Sequence, residues 1–255
     1  MKLFGTKRLT FELRWRDWAY RKLRIRSGLP NSPVKPHPSI QEHLFYPAIL
    51  KEALTEPERQ DISHWIDVGC RNWGYLPGCL PALPTLESGV GVERDPGRIY
   101  WNGYYRGDYA EAAALQSSTP TRTLRFVPGN FQSLTPTLGW SLDSKPVSRS
   151  RLITHFFPFV SERPCTQWGL PIEYSNFTPL ASHTLDLLSA KTQGDPIDLY
   201  WLSLHQGEWE ADIAREVWTG LGCSFTEKKL NPSSLAGNWP SRHPLFLLVG
   251  RVKKT

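Results

Sequence analysis

Cysteine is scarce in this chain and methionine nearly absent, with Cys70, Cys79, Cys165, Cys223 and a single Met among 255 residues. The cysteines show no Cys-x-x-Cys spacing and no two histidines stand at the helical interval of a zinc site. Neither a disulfide framework nor a structural metal is therefore expected. No run reaches the about 18 apolar residues that a membrane-spanning helix needs. The start of the chain lacks the uninterrupted apolar segment of a signal peptide, so a cytoplasmic location is the expectation. Internal repeats and low-complexity tracts are missing too, which leaves the fold to be read from single elements.

Acidic residues are short at one end. Residues 1 to 26 hold nine basic side chains against only Glu12 and Asp17, so the net charge of +6 resides there and the remainder is close to neutral. Apolar residues within this arm recur at roughly helical spacing, which predicts one amphipathic helix from about Thr10 to Arg26. Two readings of that helix stand side by side. It is a clamp on an anionic partner such as RNA or a membrane surface, with Trp15 and Trp18 stacking on bases or lying at an interface. Alternatively, it packs on the body and leaves a solvated basic face. The prolines of Asn31 to Pro38 exclude helix interior and sheet centre, which divides the chain into an arm and linker at 1–38 and an α/β domain at 39–255.

The rest of the chain is rich in aromatic residues and proline, with 11 Trp and 22 Pro. Residues 40–53 carry an apolar pattern consistent with a helix packed beside the first strand. From Ile62 onward, short apolar runs alternate with helical stretches, as in a parallel sheet covered on both faces. Strands are expected at 63–68, 88–93, 123–127, 151–157, 197–204, 222–229 and 245–252. The last two are joined only by the proline-rich stretch Asn231 to Pro244, which cannot form a crossover helix, so that pair should be antiparallel. The segments 133–150 and 165–179 read as long loops of the kind that shape substrate access.

Candidate ligand residues fall at strand ends, where open parallel sheets bind their ligands. The first strand closes with Asp67-Val68-Gly69 and runs on through Cys70, Arg71, Asn72 and Trp73 to Gly74. The second ends at Glu93, a carboxylate placed to hold ribose hydroxyls. Gly129, Asn130 and Phe131 follow the third strand. His155 stands near the end of the fourth, ahead of an aromatic tip of Phe156, Phe157, Pro158 and Phe159, with Trp168 nearby; together they offer a planar apolar wall to a flat substrate. His205 and Glu208 follow the fifth strand, beside the fourth in such a sheet, and are candidate catalytic residues at the substrate end of the cleft. An imidazole titrates near neutrality, which makes His155 the candidate general base if it faces the cleft. Each residue also has a purely structural reading: Asp67 and Asn130 as turn formers, the histidines as hydrogen-bonded core groups, and Glu208 as a first-turn acid favoured by the helix dipole.

Five alternating units ending in an antiparallel pair, opened by Asp67-Val68-Gly69 and followed by Glu93 and Asn130, resemble the class I S-adenosylmethionine-dependent methyltransferases. The resemblance implies a Rossmann-like, mostly parallel seven-stranded sheet with helices on both faces. It also implies S-adenosylmethionine as cofactor: the first turn (Asp67, Gly69, Arg71, Gly74) lies against the methionine part, Glu93 binds the ribose, and Asn130 and Phe131 meet the adenine. In that family further glycines usually stand where this chain has Arg71 and Trp73, and it is the missing side chain that lets a backbone approach a ligand closely. Phe-Phe-Pro resembles the same region of transfer-RNA guanine methyltransferases, but Phe159 to Arg163 replace the charged residues found there, so RNA is a lean only. Two further readings stay open. One is a methyltransferase-like scaffold whose altered turn no longer binds cofactor. The other is an NAD(P)-binding oxidoreductase, since residues 69–74 read Gly-x-Arg-x-x-Gly, with Glu93 about twenty residues further on.

Overall fold

The computed structural model describes residues 40–98, 100, 104–140, 150–167, 172–190, 198–236, 241 and 243–252. The basic arm, the linker and Trp168 lie outside the described residues. The sequence places a helix, α1 (Ile40–Ala53), before the sheet, then a short helix, α2 (Glu56–Asp61), where only a polar lead-in was expected. Glu58 starts α2 by reaching back to accept the backbone N–H of Thr55 at 2.7 Å, the reciprocal bond of a helix start.

Seven strands follow: β1 (Ile62–Val68), β2 (Ser88–Glu93), β3 (Thr123–Pro128), β4 (Ser150–Phe156), β5 (Leu199–Gln206), β6 (Phe225–Leu230) and β7 (Leu245–Val252). They form one sheet in the order β3-β2-β1-β4-β5-β7-β6. The first five are parallel neighbours, and β7 runs antiparallel to both β5 and β6. The expected sheet is thus formed, with its antiparallel pair at the C-terminal end. Strand β6 begins three residues later than the periodicity predicts, because residues 221–224 are consumed in closing the preceding helix. Gly222 adopts φ +75° there, its N–H bonds Thr219, and the N–H of Cys223 bonds Trp218, a glycine helix stop.

Alternation along each strand sends side chains to two faces. One face carries Trp65, Leu152, Phe156, Leu202 and Leu204 beneath α1, α3 (Leu76–Cys79) and α4 (Arg106–Ser117). The other carries Ile66, Val90, Ile153 and Trp201 beneath α5 (Pro136–Trp140), α7 (Phe177–Ser189) and α8 (Glu208–Gly220). The stretches read as long loops contain helical turns: α5 lies in the first, and the second holds the end of α6 (Glu162–Gln167), the turn Ile172–Ser175 and the start of α7. No described helix is long and apolar enough to cross a membrane.

Candidate cofactor site at the ends of β1 and β2

Parallel pairing brings the ends of β1 and β2 together. Asp67 sits opposite Gly91, and the N–H groups of Gly69 and Cys70 both bond the Val92 carbonyl, at 2.8 and 3.1 Å. The chain then turns through three left-handed residues, Gly69 (φ +75°), Arg71 (φ +56°) and Trp73 (φ +50°). Only glycine takes this conformation freely; a side chain costs roughly 1–2 kcal/mol at each such position. The turn is pinned from inside by Trp73 N–H on Cys70 (2.8 Å) and Gly74 N–H on the Asn72 side chain (3.2 Å).

Trp73 is fully buried and lies tilted against Trp65, with ring centroids 5.9 Å apart. It leans over Gly91, where an added Cβ would stand 2.8 Å from the indole. Its bulk therefore goes into the layer under α1 and α4, beside the strand ends rather than above them. A Cβ built on Gly69 or on Gly129 at the end of β3 meets nothing within 4 Å, so the space in front of both glycines is open.

Asp67 is wholly buried on the α1 side. Tyr75 donates its hydroxyl to one carboxylate oxygen at 2.6 Å and Thr154 donates to the other at 2.7 Å. Trp65 donates its indole N–H to Thr154 Oγ1 at 2.9 Å, which leaves the threonine proton for Asp67. Burial pushes the Asp67 carboxyl up to about 7 against the pull of those two hydroxyls.

Glu93 is buried and engaged by the protein itself. Its Oε2 accepts the Arg71 N–H at 2.9 Å, and its Oε1 accepts the Asp95 N–H at 2.7 Å and Arg106 Nη1 at 3.4 Å. A carboxylate has about four acceptor positions, so one remains, on Oε2. The Arg71 side chain reaches Glu42 of α1, with Nη1 to Oε1 at 2.6 Å. Its Nε is buried with no acceptor.

The adenine-side residues hold a separate turn. Asn130 Oδ1 accepts the Gln132 N–H at 3.3 Å, and Phe131 is buried against His155 and His183, with centroids 5.8 and 5.0 Å away. Next to them opens a cavity of about 540 Å³ whose lining includes Arg94, Gln132, Glu173, Ser182, His183 and Asp186. The Arg94 guanidinium lies 3.2 Å from the centre of the Tyr174 ring.

His155 and His205 do not face an open cleft. Both are fully buried under α7 and α8, edge-on to Phe177 at 6.3 and 5.9 Å. His155 Nε2 pairs with Thr184 at 2.9 Å and His205 Nε2 with Ser203 at 2.5 Å, and each Nδ1 has no partner. Burial pushes each imidazole down to about 3. Glu208 is not brought to them: it sits at the exposed start of α8 and binds Arg215 at 2.9 Å. Phe157 turns at φ +55° and stacks on Phe45 of α1 at 6.2 Å, while Phe159 packs against Cys165; Pro158 lies half-buried between them. Among the described residues no cluster of three or more His, Cys, Asp or Glu is placed to hold a metal.

The order β3-β2-β1-β4-β5-β7-β6, with β7 alone reversed between β5 and β6, decides the architecture. The chain has the Rossmann-like fold of the class I methyltransferases. Solved structures similar to it include a SAM-dependent methyltransferase from Aquifex aeolicus, at 12% identity over 84% of this chain and 93% of that one, TM-score 0.48. An O-methyltransferase family protein from Burkholderia thailandensis matches at 13% identity over 82% of this chain and 55% of the other, TM-score 0.45. A precorrin-6y C5,15-methyltransferase from Geobacter metallireducens matches at 12% over 82% and 87%, TM-score 0.43. No protein-family model and no curated protein matches the chain.

Sequence reasoning missed Glu42, Tyr75, Thr154 and Arg106 as partners of the site. Their bonds span 29, 8, 87 and 13 residues, separations that no local pattern encodes.

Proposed function

We propose that this chain binds S-adenosylmethionine and transfers its methyl group to an acceptor. The observation that carries this reading is the turn after β1. It keeps left-handed geometry at Arg71 and Trp73 despite their side chains, and strain of this kind persists where a site requires the shape. The open space at Gly69 and Gly129 and the remaining acceptor position on Glu93 suit the cofactor's amino-acid and ribose parts. Gly69, Arg71 and Gly74 would line the first, Glu93 would accept a ribose hydroxyl, and Asn130 and Phe131 would border the adenine.

When bound, the cofactor supplies an already activated sulfonium methyl, so the protein's part is alignment and exclusion of water. The cavity beside Arg94 and Gln132 adjoins the adenine-side turn and is where we place the acceptor; Phe157 packs on Phe45 of α1 instead of lining it. Glu173 and Asp186 make this cavity unsuited to phosphate, so RNA as acceptor would rest on the basic arm. Burial of His155 and His205 favours a structural role for both.

Calorimetric titration with S-adenosylmethionine tests the reading. Micromolar binding that is lost in Glu93→Ala is expected, and no binding to the wild-type chain would sink it. A second reading, a scaffold that binds no cofactor, draws on the three protein donors already on Glu93. It predicts that Glu93→Ala destabilises the fold and changes no ligand affinity.

A further inference from the structure

The outward face of α8 is the most acidic helical surface among the described residues: Glu208, Glu210, Asp212 and Glu216 stand against Arg215 alone. That guanidinium is already shared by Glu208 at 2.9 Å, by Asp212, and by Glu227 of β6 at 2.6 Å. Glu216 makes no hydrogen bond or ion pair among the described residues. One turn and two turns before it on the same stripe, at helical spacing, lie Asp212 and Trp209. Trp209 is 57% exposed, although its neighbour in the helix, Trp218, is wholly buried. An open indole beside carboxylates is a receptor for a guanidinium, which stacks on the ring and forks onto the acids. Arginine suits both contacts better than lysine.

We propose that the basic arm, residues 1–26, docks on this stripe of α8 and seats its arginines on Trp209, Asp212 and Glu216. The arm has the matching chemistry: six arginines and three lysines against two acidic residues, in a chain whose remainder is close to neutral. It is also within reach. The thirteen residues from 27 to 39 span up to about 43–47 Å when extended, whereas α1, which begins at Ile40, is only about 21 Å long. The Glu52 end of α1 pairs with Lys228 of β6 at 3.7 Å, and Glu227, the next residue of that strand, holds α8 through Arg215. Thus α1 and α8 flank one edge strand from opposite faces of the sheet. A tether of this length keeps the arm near α8 at a millimolar effective concentration. Trp209 stands just past the end of β5, on the side where open parallel sheets bind ligands, so the docked arm borders that rim. An anionic partner such as RNA then competes with α8 for the arginines.

Two measurements on the full chain test this. Carbodiimide, which joins an amine to a carboxylate in direct contact, should link Lys7 or Lys22 to Asp212 or Glu216 at low ionic strength, and the links should fade as salt shortens the screening length. Mixing isotope-labelled with unlabelled chain shows whether they form within one molecule. The double variant Trp209→Ala/Glu216→Lys changes two side chains with no internal bond, and should speed tryptic cleavage within residues 1–26 by about 3- to 10-fold, the scale of a few lost exposed pairs. Links from the arm to carboxylates outside α8 overturn the proposal, as do links formed only between two molecules, which would make a second copy the occupant. An unchanged cleavage rate in the variant overturns it as well.

Discussion

Asp67 is the residue on which structure and titration meet most directly. Its carboxyl is raised from 3.8 to about 7 by burial, so the folded chain holds a proton that the unfolded chain releases. The contribution of Asp67 to stability is therefore greatest below pH 4 and is lost as pH rises through 7, by an amount on the order of a few kcal/mol. Asp67→Asn should therefore gain on the wild type between pH 5 and pH 8. Urea unfolding at the two values checks this, and a difference that stays flat with pH would dismiss the raised carboxyl. His155 and His205 act in the opposite sense. Each falls from 6.5 to about 3 on burial, so the unfolded chain takes up protons first and stability is lost as pH drops below 6.5. The loss should reach about 2 kcal/mol per histidine by pH 5. Replacing His155 by Gln should remove about half of that acid slope, and an unchanged slope would place the acid sensitivity elsewhere.

Sequence pattern placed the elements better than it placed their contacts. All seven strands fall within three residues of their expected ends, because alternation and burial are local properties of the chain. The strand-end stations Asp67, Glu93 and Asn130 were legible for the same reason. What those side chains touch was not, since Tyr75 and Thr154 reach Asp67 only once β1, β4 and α3 have assembled. The direction of Trp73 was hidden too: the small surface of Gly91 draws it into the core. The sheet makes a similar demand at its other end. Gly250 in β7 lies against Trp201 of β5, and an added Cβ would come within 1.9 Å of the indole. Trp201 cannot yield, being stacked on Trp218 at 3.7 Å. Gly250→Ala should accordingly cost about 3 kcal/mol, visible as a lowered melting temperature; a wild-type melt would mean that the stack repacks freely.

At the scale of the whole molecule, charge is unevenly placed: a strongly basic arm precedes a nearly neutral body. If the acceptor is RNA, electrostatic attraction resides in the arm. Deleting residues 1–26 should then flatten the dependence of RNA binding on salt concentration, whereas an unchanged slope would rule the arm out as the clamp. Affinity for S-adenosylmethionine should be unaffected by the same deletion. The far edge of the sheet is guarded in a different way, by Lys228 and Lys229 exposed on β6, charges that discourage strand-to-strand association.

The pairing of β1 with β4 also sets a clock. Thr154, which supplies a proton to the Asp67 carboxylate, is 87 residues further along the chain, and a ribosome adding about 5–20 residues per second needs roughly 4–17 s to cover that distance. For that interval β1, an inner strand with Trp65 and Ile66 on opposite faces, has left the ribosome before one of the two neighbours that will flank it. Premature association of nascent chains is thus a hazard concentrated in one stage of synthesis, between the appearance of β1 and the arrival of β4.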